Sequence, residues 1–296
     1  MIHRSGFVAL VGRPNVGKST LLNSLLGEKV AIVSDKPQTT RNRIRAILTR
    51  DEAQVIFIDT PGVHKPKHKL GSAMVEASIR TFNQVDILCF IVEANRAPGP
   101  GDRYLTALFQ RLKNPVFLVL NKIDLCPPHI LKAHSAIYRE LYSFASSFQL
   151  SARQGLNLKP LIHTIIESLP EGPRYYPDDM ITDQPERFIA AEIIREKIIG
   201  LTREEIPFSV AVVIEEMSLK SEELIEIRAE IYVERKSQVG ILVGKDGSLL
   251  KQAGSAARLE LEPLLGRRVY LDLWVKVKTD WRNREGPLRQ FGYHQL

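Results

Sequence analysis

Short unbroken apolar runs recur through the first 170 positions, and each stops at a glycine or at a small polar or charged residue. Phe7-Val8-Ala9-Leu10-Val11, Val55-Ile56-Phe57-Ile58 and Val116-Phe117-Leu118-Val119-Leu120 are the clearest. Runs of this length predict strands covered on both faces, and the longer segments between them carry the spacing of amphipathic helices. The pattern predicts strands near 6–11, 43–49, 54–59, 87–93, 115–121 and 148–150, with helices near 18–26, 70–84, 101–112, 129–145 and 157–168. Alternation of this kind predicts an α/β domain over residues 1–170, with a mostly parallel sheet between two helical layers. Residues 171–180 cannot continue a helix, because Pro170 precedes them and Pro173 and Pro177 interrupt them, and they read as a linker. Beyond it the order changes to a helix over 184–200, strands over 208–217 and 224–234, two short helices around 239–250 and a strand over 269–278. That α-β-β-α-α-β order predicts a second, α+β domain over 181–296, including a C-terminal tail.

The ends of the predicted strands carry the chemistry. Gly12-Arg13-Pro14-Asn15-Val16-Gly17-Lys18-Ser19 follows the first strand, and a helix begins near Thr20. In such a P-loop the glycines let backbone N–H groups wrap a polyphosphate. Lys18 reaches the β- and γ-phosphates, and Ser19 offers its hydroxyl to Mg²⁺. Asp59-Thr60-Pro61-Gly62-Val63 closes the third strand. Its aspartate can hold Mg²⁺ through water, and the Gly62 N–H can sense a γ-phosphate. Asn121-Lys122-Ile123-Asp124 closes the fifth. A carboxylate at Asp124 can accept from the two donors on the guanine edge, which adenine lacks. Ser151 and Ala152 can back the base from the next loop. Singly these are ordinary turns; in this order they point to GTP and GDP. The segment 33–43 has no core pattern and contains Gln38-Thr39-Thr40-Arg41. One of the two threonines is expected at Mg²⁺, making this a switch loop, and 60–69 reads as a second switch with His64, Lys65, Lys67, His68 and Lys69.

Charge adds a partner. The net charge is +7 over 296 residues, and it is unevenly spread. Residues 1–170 hold 22 Lys and Arg against 12 Asp and Glu, residues 171–234 hold 7 against 16, and residues 235–296 hold 12 against 6. Segregated basic surfaces suit a polyanion. No apolar stretch reaches membrane-spanning length, and the first strand starts within ten residues, so the expected location is the cytoplasm. Cys89 and Cys126 read as free thiols of a reducing compartment.

Within the second domain, Gly244-Lys245-Asp246-Gly247 joins two helices, with Lys251 one turn further on. This is the construction of a KH domain of the bacterial, type II, order, in which the loop admits a phosphate backbone and unpaired bases lie in an adjoining groove. Asp246 should weaken that contact by repelling phosphate. With these residues, and with Ile181-Thr182-Asp183, the stretch 192–197 and Leu273-Trp274-Val275-Lys276-Val277-Lys278, the whole chain resembles the Era-type GTPases. The resemblance implies a P-loop NTPase G domain followed by a KH domain, slow GTP hydrolysis with Mg²⁺, and binding of the 16S rRNA 3′ end on the 30S subunit precursor. It also implies peripheral association of some members with the inner membrane, and no role in binding DNA. Val63 stands where Ras-like enzymes carry glutamine, so no side-chain base is assigned. Family members use a P-loop asparagine for K⁺, and here that residue is Asn15. The competing reading is a membrane-associated cell-cycle signalling GTPase whose second domain binds protein; the KH construction and late basic cluster favour RNA.

Overall fold

The computed structural model describes residues 3–36 and 38–293, so Pro37 of the first switch loop and the last three residues of the tail lie outside the described residues. In the first domain β1 (Arg4–Val11) leads to α1 (Lys18–Leu26), β2 (Ile44–Thr49) and β3 (Ala53–Asp59). Then come α2 (Lys69–Thr81), β4 (Ile87–Glu93), α3 (Pro100–Phe109), β5 (Val116–Asn121), α4 (Pro128–Leu141), β6 (Ser146–Gln149) and α5 (Leu158–Ser168). The sheet order is β2-β3-β1-β4-β5-β6, with β2 antiparallel to β3 and every other pair parallel. β3, β4 and β5 are buried at every position, as continuous apolar runs demand. Two cores, one on each face, therefore fix the strands in register, with Leu10 opposite both Asp59 and Cys89. The P-loop, Asp59, Asn121 and Ser151 all emerge at the same carboxyl edge, where ligands of such sheets bind.

The second domain contains α6 (Glu186–Leu201), α7 (Ile206–Ser209), β7 (Ala211–Ser221), β8 (Leu224–Val233), α8 (Lys236–Val243), α9 (Ser248–Leu265) and β9 (Arg268–Val277). Its sheet runs β7-β8-β9, antiparallel then parallel, and its core joins α6 and α9 to one face. Two boundaries differ from the sequence expectation for physical reasons. Pro207 opens the one-turn helix α7, so β7 starts at Ala211 instead of 208. The apolar stripe Ala253, Ala257, Leu261 and Leu265 carries the helix after the glycine loop far past 250.

Residues 181–183, assigned by sequence to the second domain, lie along the first. The Ile47 N–H donates to the Ile181 carbonyl at 2.9 Å, and Ala46 bridges Thr182. Gln54 meanwhile pins the linker by accepting from the N–H groups of Tyr175 and Tyr176. Nor is the tail a simple extension. After a turn at Trp281–Asn283 it forms α10 (Glu285–Gln290), and Trp281, Leu288, Phe291 and Tyr293 pack with Leu70, Met74 and Ala77 of α2. A hydrophobic core thus spans both domains.

Candidate nucleotide site and nucleic-acid groove

Backbone geometry at the P-loop leaves no room for other side chains. A Cβ on Gly12 would lie 2.3 Å from the Ile91 carbonyl, and one on Gly17, where φ is +97°, would lie 2.3 Å from Asn121. Lys18 is buried, with its ammonium 3.0 Å from the Arg13 carbonyl and 3.5 Å from that of Gly12. Burial lowers this ammonium to about 8, opposed by the charge of Asp59. Burial raises Asp59 in turn, with Lys18, Ser19 and Thr40 opposing. The two groups form an electrostatic floor ready for a polyanion and its cation. Arg13 is anchored from outside the motif: its Nε lies 3.0 Å from the carboxylate of fully buried Asp102, which also caps α3.

Three oxygens converge beside Lys18. Ser19 Oγ donates to Asp59 Oδ2 at 2.6 Å and lies 2.9 Å from Thr40 Oγ1, which is 3.3 Å from the same carboxylate. Asp59 Oδ1 is buried with no hydrogen-bond partner among the described residues. An oxygen-only donor set with an orphaned carboxylate oxygen fits a hard cation, and Mg²⁺ fits it best beside a phosphate site. Thr40, and not Thr39, belongs to this cluster, because the Thr39 hydroxyl turns back to the Lys36 carbonyl at 2.6 Å. Thr60 donates to the Leu10 carbonyl at 2.7 Å, which ties the second switch to β1. Gly62 approaches so closely that a Cβ would lie 2.6 Å from the Pro14 nitrogen, and the Val63 N–H donates to the Gly12 carbonyl. The Val63 side chain is buried in the core. Gln38, at φ +64°, meets His64 across 2.9 Å, and His64 Nδ1 is 2.9 Å from the Gly62 carbonyl. Because that carbonyl only accepts, His64 carries its proton on Nδ1 and accepts from Gln38 on Nε2.

At the base end, Asn121 is a clamp. Its Nδ2 donates to the Val16 carbonyl and its Oδ1 accepts from the Ala152 N–H, both at 2.9 Å, so it joins P-loop, β5 and the Ser151 loop. Lys122, at φ +64°, reaches the Asn15 carbonyl at 2.7 Å and Glu93 at 2.5 Å. Asp124 stands half-buried in the turn that follows, and Ser151 Oγ accepts from the Gln154 N–H. Asn15 donates its amide to the Asp35 carbonyl at 2.5 Å, so P-loop and first switch are joined. Between them lies a cavity of about 550 Å³, lined by Lys18, Ser19, Thr40, Gly62, Lys122 and Arg153 among others.

The basic residues of the second switch divide. His64 and His68 are used internally, while Lys65, Lys67 and Lys69 face solvent. Arg45 of β2 pairs with Asp183 at 2.6 Å.

In the second domain, Gly244, Asp246 and Gly247 all have positive φ, at +76°, +54° and +74°. The turn brings the end of α8 against the start of α9, whose N–H groups and positive dipole end face outward with Lys245 and Lys251. A Cβ on Gly247 would meet nothing within 4 Å, so that position opens on solvent. Beside the loop, α9 and the edge strand β9 bound a groove of about 410 Å³ lined by Gly247, Lys251, Arg258, Tyr270 and Leu273. Gly254 lets these elements approach, since a Cβ there would lie 3.1 Å from Leu273. Arg258 and half-exposed Tyr270 were not singled out from sequence; their positions on the outward edges of α9 and β9 were the available signal.

Comparison with known proteins agrees with both halves. A family model described as a 50S ribosome-binding GTPase matches residues 7–122, and a KH-domain model matches residues 205–282. The chain is similar to Era in a crystal structure with MgGDPNP and nucleotides 1506–1542 of 16S ribosomal RNA. Identity there is 44%, coverage 98% of this chain and 99% of that one, and the TM-score 0.94. It is equally similar to a variant of Aquifex aeolicus Era bound to GDP·AlF4⁻, at 44% identity over 98% and 99% of the two chains, with a TM-score of 0.93.

Proposed function

The chain belongs to the Era family of GTPases, and from that premise we propose that it is a GTP-hydrolysing assembly factor of the small ribosomal subunit. Its KH domain takes the 3′ end of 16S rRNA on the 30S subunit precursor, and the nucleotide state gates binding and release. The carrying observation is one chain that spans the full length of an RNA-bound relative and presents both a GTP site and an open glycine clamp beside a groove. The family model's description names the large subunit, but it covers the first domain alone; the whole-chain relative holds small-subunit RNA, so the latter supports the reading. Cytoplasmic action, with peripheral contact at the inner membrane face, belongs to the same proposal; among the described residues no helix is long and apolar enough to cross a membrane.

The residues divide the work as follows from their positions. Backbone N–H groups of the P-loop, other than at Pro14, and the Lys18 ammonium bind the β- and γ-phosphates and draw charge toward the leaving group. Ser19 and Thr40 would hold Mg²⁺, with Asp59 behind them, and the ion, when bound, neutralises charge on the bridging phosphates. Asp124 reads guanine, while Asn121 keeps that loop against the P-loop. The Val63 side chain offers no hydrogen-bonding atom to an attacking water, so orientation falls to backbone, the metal or another group, and hydrolysis is slow without help. Asn15 is the assigned K⁺ ligand; equal hydrolysis rates in Na⁺ and K⁺ would remove that role. RNA phosphates sit at Gly244, Lys245 and Gly247, with Asp246 limiting affinity, and unpaired bases lie in the groove.

The test is titration of a single-stranded oligonucleotide matching the 3′ end of 16S rRNA, first with GDP and then with a non-hydrolysable GTP analogue. Tighter binding with the analogue is expected. Equal binding removes the gating, and no binding in either state turns the reading to a signalling GTPase with a protein partner. Gly247→Asp places a carboxylate in open space at the clamp and is expected to abolish RNA binding with GTP affinity intact.

A further inference from the structure

The first switch loop is gripped from the second domain on both sides of its metal-facing residue. Glu196 on α6 accepts from the Val33 N–H at 2.8 Å where the loop begins. From the preceding residue of α6, Nη2 of Arg195 donates to the Thr39 carbonyl at 2.5 Å. Arg195 is 1% exposed and is held through Nε and Nη2 by Glu192, at 2.7 and 2.5 Å. Immediately after Thr40, the side chain of Arg41 leaves the first domain altogether. It is fully buried, yet among the described residues no carboxylate pairs with it. Its Nη1 donates to the Val210 carbonyl at 2.7 Å and the Tyr293 hydroxyl at 3.3 Å. Its Nη2 donates to the carbonyls of Phe208 and Pro207, at 3.1 and 3.3 Å. The ring centroids of Trp281 and Tyr293 lie 5.6 and 5.8 Å from the guanidinium carbon. Trp281 donates its indole N–H to the Ser209 carbonyl at 2.8 Å, so the four carbonyls at the end of α7 are all engaged.

A guanidinium buried without an acid, and whose Nε has no hydrogen-bond partner among the described residues, depends on these remaining partners for its solvation. Arg41 is therefore either seated in its socket or out in water. Consecutive Cα atoms are about 3.8 Å apart, so any backbone shift that carries Arg41 away from its socket also displaces Thr40 from Ser19 and Asp59.

We propose that the second domain completes the nucleotide site: Arg195 and the socket around Arg41 are positioning elements that hold Thr40 at the metal position. Domain docking and binding of the Mg²⁺-triphosphate are then one equilibrium, and a ligand that shifts either shifts both. The inference rests on the GTP site and not on the RNA reading, and it is tested without RNA. In the full chain, affinities for GDP and for MgGDPNP are measured by equilibrium titration for Arg195→Ala, Arg195→Lys and the double variant Arg195→Met/Glu192→Leu. The double variant removes the buried pair without leaving an uncompensated charge, so it serves if the alanine variant misfolds. Expected for alanine and for the double variant is a loss of about tenfold toward MgGDPNP, with GDP affinity changed less than twofold, and a smaller selective loss for lysine. A role in stability alone would lower both affinities together. Equal losses for the two nucleotides, or no loss for either, overturn the proposal.

Discussion

Thr39 and Thr40 are neighbours with the same side chain, and only the path of the backbone gives them different work. The hydroxyl of Thr40 faces Ser19 and Asp59, whereas that of Thr39 closes a local turn on the Lys36 carbonyl. Thr40→Ala is expected to weaken MgGDPNP binding about tenfold, as loss of one contact to a charged centre does. Thr39→Ala should leave it within twofold, because the Thr39 group that matters is its carbonyl. Measuring both variants against GDP as well as MgGDPNP separates loss of the metal position from loss of the loop. The paired threonines were legible in the sequence as a metal-facing loop, but not which of the two turned inward. In the structure the Thr39 carbonyl is held by Arg195, 156 positions away, and Arg41 is held by carbonyls of the second domain. Spacing along a chain carries no information about a partner so distant.

Among the elements, α2 shows how one helix end serves two domains. His68 is its N-cap, with Nδ1 accepting from the Gly71 N–H at 2.9 Å, so only the neutral imidazole can cap. Burial lowers this imidazole to about 4, reinforced by the charges of Arg282 and Arg41 and by His64, with Glu234 opposing. The unfolded value is near 6.5. Between pH 6.5 and 4 the unfolded chain therefore binds the extra proton, and stability falls as pH falls through that window. His68→Asn keeps a capping oxygen and removes the titration. Its melting temperature should match the parent at pH 7.5 and exceed it at pH 5, and a constant difference across that range would refute the cap assignment. The sheet strands were legible because burial on both faces writes itself as continuous apolar sequence. The start of β7 and the length of α9 were less so, since Pro207 makes a helical turn where alternation suggested a strand, and the small-residue stripe from Ala253 to Ala257 carries little apolar signal.

At the scale of the molecule, the last described residues join the two domains instead of trailing from the second. Trp281 is fully buried; Phe291 meets it edge-on at 5.2 Å and Tyr293 stacks on it at 5.8 Å, and with Leu288 they cover Leu70, Met74 and Ala77 of α2. Sequence pattern read this stretch as a tail because its apolar residues follow no long helical or strand period. What it lacked in period it held in density, with Trp281, Leu288, Phe291 and Tyr293 within 13 positions. The consequence is thermodynamic. A core shared between domains makes their unfolding cooperative, because neither half can open without exposing apolar surface of the other. Trp281→Ala deletes the largest side chain of that core and the cap on the Ser209 carbonyl, at a cost of about 3–5 kcal/mol. That loss falls on the interface and not on either domain's own core, which lie elsewhere. Calorimetry of the parent chain is therefore expected to show one merged transition, and of Trp281→Ala two separated ones with the nucleotide-free first domain still folding. GDP should then raise only one of the two transitions in the variant, whereas in the parent it raises the whole envelope. A single transition in the variant, shifted down as a unit, would mean that cohesion between the domains resides in the α6 contacts with the first switch loop rather than in this apolar seam, to which the Arg41 socket belongs.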